Sequence, residues 1–205
     1  MRKLILYLLL LCAYPAWAQD TPLFEAVAAG NRAEVERLLA GGANVDARNE
    51  DQETPLYVAV ENGHTDVVKF LLGKGADVKA RTTNGETVAH AAALDGDANL
   101  LTLLLDRGAE ANAANRDGER PLFWAAAAGY ARAAQLLIDR GAHVNARDLQ
   151  GNTALHGAVD AGHETTAWLL LNQGASAALR NGAGDRALDI ARRRGYSELV
   201  KLLER

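Results

Sequence analysis

The chain has 205 residues, 49% hydrophobic and 23% charged, with 26 Asp and Glu against 22 Lys and Arg and one cysteine, Cys12. An acidic balance makes the chain a poor candidate for tracking nucleic-acid phosphates, which needs Lys and Arg grouped over a surface. A single cysteine excludes an internal disulfide, so stability has to come from packing.

Met1-Arg2-Lys3 leads into an apolar run from Leu4 to Ala13, then Tyr14-Pro15 and the small-residue site Ala16-Trp17-Ala18. This pattern predicts a secretory signal peptide over residues 1–18, cleaved between Ala18 and Gln19. The run falls short of the roughly 20 residues that a membrane anchor needs. Leu11 also stands where a lipoprotein acylated at Cys12 would carry a small residue. Cleavage takes away Arg2 and Lys3, leaving 20 basic against 26 acidic residues and a net charge of −6. No second apolar run of membrane length follows. The expected product is soluble, cysteine-free and periplasmic or secreted, and suits a Gram-negative periplasm.

From residue 20 onward glycine keeps a beat of 33 residues, at positions 30, 63, 96, 129, 162 and 195. A fixed period of this length predicts stacked copies of one small unit. Each unit reads as a turn, a short helix ending at the phasing glycine, and a second helix ending at a Gly-Ala pair: Gly42-Ala43, Gly75-Ala76, Gly108-Ala109, Gly141-Ala142 and Gly174-Ala175. Glycine after an apolar helical stretch closes a helix in the left-handed conformation. Thr54-Pro55-Leu56 places a hydroxyl cap before a proline at the first helical position, where the missing N–H costs nothing. Second helices carry Val68, Leu71 and Leu72, then Leu101, Leu104 and Leu105, Ala134, Leu137 and Ile138, and Ala167, Leu170 and Leu171, a spacing that shares one face. First helices are alanine-rich, as in Ala91-Ala92-Ala93 and Ala125-Ala126-Ala127-Ala128, so their neighbours can approach closely and the stack is expected to be concave on that side.

Thr54-Pro55-Leu56-Tyr57-Val58-Ala59, with Gly63-His64 and Gly75-Ala76-Asp77-Val78, resembles the ankyrin repeat. Thr87-Val88-Ala89-His90-Ala91-Ala92, Pro121-Leu122-Phe123-Trp124-Ala125 and Thr153-Ala154-Leu155-His156 match it in part. The resemblance implies an all-α ankyrin-repeat solenoid of helix-turn-helix units joined by β-hairpin-like turns. One domain over 19–205 is expected, with six repeats at about 20–48, 49–81, 82–114, 115–147, 148–180 and 181–205. Glu34, Arg37 and Glu204 stand where inner copies carry Val67, Phe70 and Leu72 or Leu105. These read as polar caps on a complete array. Gly85, Gly118, Gly151 and Gly184 mark the tips between units, with Gln52 at the corresponding place in the second.

The chain carries no HExxH pair, no cysteine beyond Cys12 and no glycine-rich phosphate loop, and no enzyme is expected. His90 and His156 at the start of first helices, and His64 and His163 after the phasing glycine, fall in slots where the resemblance implies backbone hydrogen bonding and capping. His143 falls in a Gly-Ala turn. The carboxylates lie mainly at tips a repeat apart, too far for one coordination shell with bonds of about 2.0–2.6 Å. No cofactor or metal is expected.

The resemblance also implies a protein-binding surface made of tips and the concave face of first helices. In this chain its candidates are Glu50, Asp51, Glu53, Tyr57, Glu61, Asn84, Glu86, Leu94, Asp95, Asp117, Glu119, Trp124, Leu149, Gln150, Asn152 and Asp160. Leu94 and Leu149 occupy positions that are usually solvated, and large rigid side chains such as Trp124 tend to dominate interfaces. Phe24, Tyr57 and Phe123 fill the slot of His90 and His156, where packing between units is the plainer role. Trp168 follows Lys69 and Gln135 on the outer face of a second helix, a second contact or a ring lying flat. The expected function is stoichiometric binding of another protein by a monomer, as an inhibitor or immunity protein of an envelope enzyme or toxin. The alternatives are an envelope scaffold or a helper of an exported oxidative-stress enzyme such as a catalase.

Overall fold

The computed structural model of the protein describes residues 16–204. Most of the predicted leader, including Cys12, lies outside the described residues. The described residues form twelve α-helices and no strand. They fall into two compact units that meet in sequence at Thr83 and Asn84.

The first unit holds α1 (Ala16–Ala28), α2 (Arg32–Ala40), α3 (Pro55–Glu61) and α4 (Thr65–Gly73). The second holds α5 (Val88–Asp95), α6 (Ala98–Asp106), α7 (Pro121–Ala127), α8 (Ala131–Asp139), α9 (Ala154–Asp160), α10 (Glu164–Asn172), α11 (Ala187–Arg194) and α12 (Ser197–Leu203). Within each unit every odd-numbered helix packs on the even-numbered helix that follows it. Helix α1 begins at Ala16 and includes Pro22, so it runs across the Ala18–Gln19 bond. Helix α3 begins as its sequence predicts, with the Tyr57 N–H donating to Thr54 Oγ1 at 3.2 Å.

The cores follow the periodicity. Leu23, Val27, Val35, Leu56, Val68 and Leu71 are buried in the first unit, and Leu101, Leu104, Leu137, Leu155, Leu170 and Leu199 in the second. Of the predicted second-helix triplets the first two members are buried, whereas Leu72, Leu105, Ile138 and Leu171 are only half-buried. The third position turns towards the edge of the helix pair. First helices bury many small side chains, with Ala89, Ala92, Ala125, Ala126 and Ala158 fully buried. Glu34 and Arg37 stay at the surface and pair with each other at 2.6 Å, and Glu204 pairs with Arg192 at 2.6 Å.

Second helices end in a Schellman arrangement, as where Gly141 N–H reaches Ile138 O at 2.9 Å and Ala142 N–H reaches Leu137 O at 2.9 Å. The six phasing glycines have φ between 65° and 82°. At Gly129 (φ +82°) a second requirement joins the first: a Cβ would lie 2.6 Å from the His163 ring, whose Nε2 bonds Ala127 O at 3.1 Å. His64 covers Gly30 in the same way and bonds Ala28 O at 2.8 Å. Tyr130 and Tyr196 place rings over Gly96 and Gly162. The beat therefore records helix closure at all six positions and, at Gly30, Gly96, Gly129 and Gly162, a ring from the next helix pair as well.

Two residues break these local rules. Gln52 has φ +60° where four tips have glycine at +78° to +84°. Left-handed backbone is unfavourable for residues with a Cβ by about 1 kcal/mol or more, so Gln52→Gly is expected to raise stability by about 1 kcal/mol, read as a higher midpoint in urea. Thr166 is fully buried with no hydrogen-bond partner for its Oγ1, in the slot of Leu100, Ala133 and Leu199. Thr166→Val removes a buried orphan hydroxyl, so it is expected to stabilise by about 1 kcal/mol in the same measurement.

Candidate protein-binding surface

The tips are built from short polar side chains that fold the backbone back on itself. Asn49 Oδ1 accepts the N–H groups of Asp51 and Glu53 at 3.1 and 2.8 Å. Asn115 Oδ1 does the same for Asp117 and Glu119, and Asn181 Oδ1 for Ala183 and Asp185. Such Asx turns explain how the predicted hairpins form with no strand pairing among the described residues. Successive tips are then joined by backbone bonds. In the first unit Thr83 N–H donates to Asp51 O at 2.7 Å, and in the second Arg116, Leu149 and Gly182 N–H groups donate to Asn84, Asp117 and Gln150 O at 2.8, 2.8 and 2.6 Å.

On this frame the predicted residues sort by exposure and by existing partners. Glu50, Asp51 and Glu61 are exposed in the first unit. Glu53 is half-buried and accepts from Asn49 Nδ2 at 2.6 Å, and Tyr57 is only 5% exposed. Tyr57 thus joins the core, because its slot points between helices as those of His90 and His156 do. In the second unit Asn84, Asp95, Asp117 and Gln150 are exposed and Glu86 is half-buried. Asn152 is held by Asp148 and by Asn181, and Asp160 accepts two bonds from Arg194 at 2.9 Å each. Trp124 is half-buried, edge-on to His90 at 5.3 Å, with its indole N–H on Glu119 Oε2 at 2.8 Å. That bond fixes both predicted residues in place. Leu94 and Leu149 are 53% and 74% exposed, and Trp168 is 55% exposed.

The histidine slots are structural. Thr87 N–H donates to His90 Nδ1 at 3.1 Å and His90 Nε2 bonds Glu119 O at 3.2 Å. Thr153 N–H donates to His156 Nδ1 at 3.2 Å, and His156 Nε2 bonds Asp185 O at 3.2 Å. Among the described residues no three His, Cys, Asp or Glu side chains are placed to hold a metal, and no helix is long and apolar enough to cross a membrane.

Sequence reasoning missed two groups. Phe70 has the Arg32 guanidinium at 5.4 Å and the Lys74 ammonium at 5.3 Å over its ring. A set of arginines pairs across turns in the second unit, Arg193 to Asp185 at 2.7 Å and Arg186 to Asp189 at 3.1 Å. The Arg186 guanidinium holds the Asp189 carboxyl well below the usual carboxylate range. The run Arg192-Arg193-Arg194 was the available signal, since three cations in one turn of an acidic protein call for partners.

Comparison with known families agrees with this geometry. A family model described as ankyrin repeats in three copies matches residues 2–82 and again 75–148, and a single ankyrin-repeat model matches residues 150–182. No curated protein gives a match. Helix pairs repeating at the glycine beat, tips closed by Asx turns and matches over most of the length give one conclusion: this chain belongs to the ankyrin-repeat family, whose repeats serve protein–protein interaction.

Proposed function

We propose that the protein is an exported, periplasmic ankyrin protein of six repeats that binds one folded protein stoichiometrically through its tips and first-helix face. The observation that carries this reading is the exposure of Leu94 and Leu149, with Leu149 joined through its N–H to the carbonyl of the acidic tip residue Asp117 at 2.8 Å. Burying such apolar side chains against a partner removes them from water, which favours association. The sixth helix pair, α11 and α12, lies beyond the residues matched by the family models. Its phasing glycine and Tyr196 over Gly162 support counting it as a sixth repeat. The leader pattern supports export, with Gln19 as the first residue of the mature chain. A rigid exported binder without catalytic groupings suits an inhibitor or immunity protein that holds an envelope enzyme or toxin inactive. Helping an exported oxidative-stress enzyme is the rival use of the same surface.

The test uses the full chain, tagged at its C-terminus and recovered from the periplasm of a Gram-negative host with Gln19 leading, as bait in envelope extract. A one-to-one complex is expected. Leu94→Ala, Asp117→Ala and Leu149→Ala together should reduce retention at least thirtyfold, the loss of one interface hot spot, with the melting temperature unchanged. Unaltered retention would overturn the surface assignment.

A scaffold that bridges two partners is favoured by one observation. Trp168 and Leu202 border an open groove of about 350 Å³ between α10 and α12, beside the Lys201–Glu198 pair. Two proteins held at once by one copy, with Trp168→Ala releasing only one, would establish that role.

A further inference from the structure

The second unit has one first helix that departs from the way the others are capped. Its first helices α5, α9 and α11 each have a side chain capping the N-terminus: His90 with Thr87, His156 with Thr153, and Asp189 Oδ2 accepting Arg186 N–H at 3.0 Å. Helix α7 has Arg120 and Phe123 in those slots and no side-chain cap, and the buried Nε of Arg120 lacks a hydrogen-bond partner. On the next first helix, Gly157 stands where α5, α7 and α11 carry Ala91, Trp124 and Ile190. Glycine inside a helix is destabilising, and here it makes room: a Cβ on Gly157 would lie 3.2 Å from Phe123 Cε2 and 3.4 Å from Ala127 Cβ.

The abandoned cap, the phenylalanine and the helical glycine meet at one cleft of about 360 Å³, within the range of ligand pockets. Its apolar lining is Phe123, Ala127, Gly157, Ala161 and Ile190. Its rim is polar but already paired. Asp160 is held by Arg194, Arg193 by Asp185 at 2.7 Å, and Asn152 Oδ1 accepts from Asn181 Nδ2 at 2.9 Å. A charged side chain would have to compete with Arg194 for Asp160 or with Asp185 for Arg193, and ion pairs as exposed as these contribute little. An uncharged ring disturbs none of them and gains an aromatic neighbour in Phe123.

We propose that this cleft is the anchor pocket of the binding surface and takes an uncharged aromatic side chain presented by the partner protein. The inference rests on the protein-binding reading above, but its test needs no partner. N-acetyl-L-phenylalaninamide is titrated into the ¹⁵N-labelled protein while the Gly157 amide resonance is followed, with N-acetyl-L-lysinamide and N-acetyl-L-glutamic acid amide as charged controls. A saturable shift at Gly157 is expected, with a dissociation constant on the order of 1 mM for a ligand this small, and little response to either control. Gly157→Val should leave the amide at that position without a saturable response. Ala161→Leu, which fills the mouth from an exposed position and leaves the core intact, should weaken it at least tenfold with the melting temperature unchanged. No saturable shift at Gly157, equal response to the charged amides, or a response that Ala161→Leu leaves intact would each overturn the pocket. Failure of the capture experiment with the pocket intact would instead overturn the protein-binding reading and leave the pocket standing.

Discussion

Leu137→Ala is expected to lower the unfolding free energy by about 3 kcal/mol, within the spread for leucine truncations in closed cores. Leu137 is fully buried in α8, and its carbonyl also accepts the Ala142 N–H that closes the helix. Helix α8 packs on α7 and touches α6 and α10, so the surrounding walls belong to several helices and cannot all collapse into the void. For a chain of this size the loss corresponds to a fall of roughly 6–12 °C in melting temperature. The control is Leu149→Ala, the same chemical change at a side chain 74% exposed, where about 0.5 kcal/mol or less is expected. Calorimetry of the two variants checks the pair. Equal effects would mean that one of the two leucines is misplaced.

His156→Ala is expected to cost about 2–3 kcal/mol at pH 8, because Thr153 N–H and Asp185 O each lose a partner at a buried site. The effect should depend on pH in a definite direction. His156 Nδ1 accepts from a backbone N–H, which puts its proton on Nε2 and leaves the ring neutral. Burial pushes its pKa below the ordinary value of 6.5. As pH falls below 6.5 the unfolded chain takes up a proton that the folded ring still refuses, so the contribution is full above that value and is lost as pH falls through the folded pKa. The stability gap between the natural protein and His156→Ala should therefore narrow on acidification. Urea titrations at pH 8, 6 and 5 measure the gap, and a constant gap would show that His156 is not the buried neutral ring described here.

The fold was legible because its determinants are local. A glycine at φ +82° and a Thr-Pro helix start leave their mark within a few residues, and the 33-residue period multiplies that mark. The binding surface was legible only in part. Leu94 and Leu149 stand out in sequence because solvated slots rarely hold leucine, and both are exposed. Tyr57 and Trp124 looked alike as aromatic candidates, yet one is buried and the other half-exposed against Glu119. They stand in successive slots of the repeat, Tyr57 in the one shared with His90 and His156 and Trp124 in the next, and the two slots differ in burial. The Asp160–Arg194 pair spans residues 34 apart, and the cleft beneath Gly157 exists only when α7, α9 and α11 are assembled. Neither could be read from one repeat at a time.

The bonds that tie one tip to the next run from backbone N–H to backbone C=O, as between Leu149 and Asp117 or Gly182 and Gln150. Side chains at those positions therefore take no part in holding the tips in line. A lineage of such proteins is free to exchange Asp117, Leu149 or Gln150 for almost any residue while the spacing of the display stays fixed. Partner choice can then drift or be redirected by point mutation with little cost to folding, provided the Asx residues Asn115, Asp148 and Asn181 are kept.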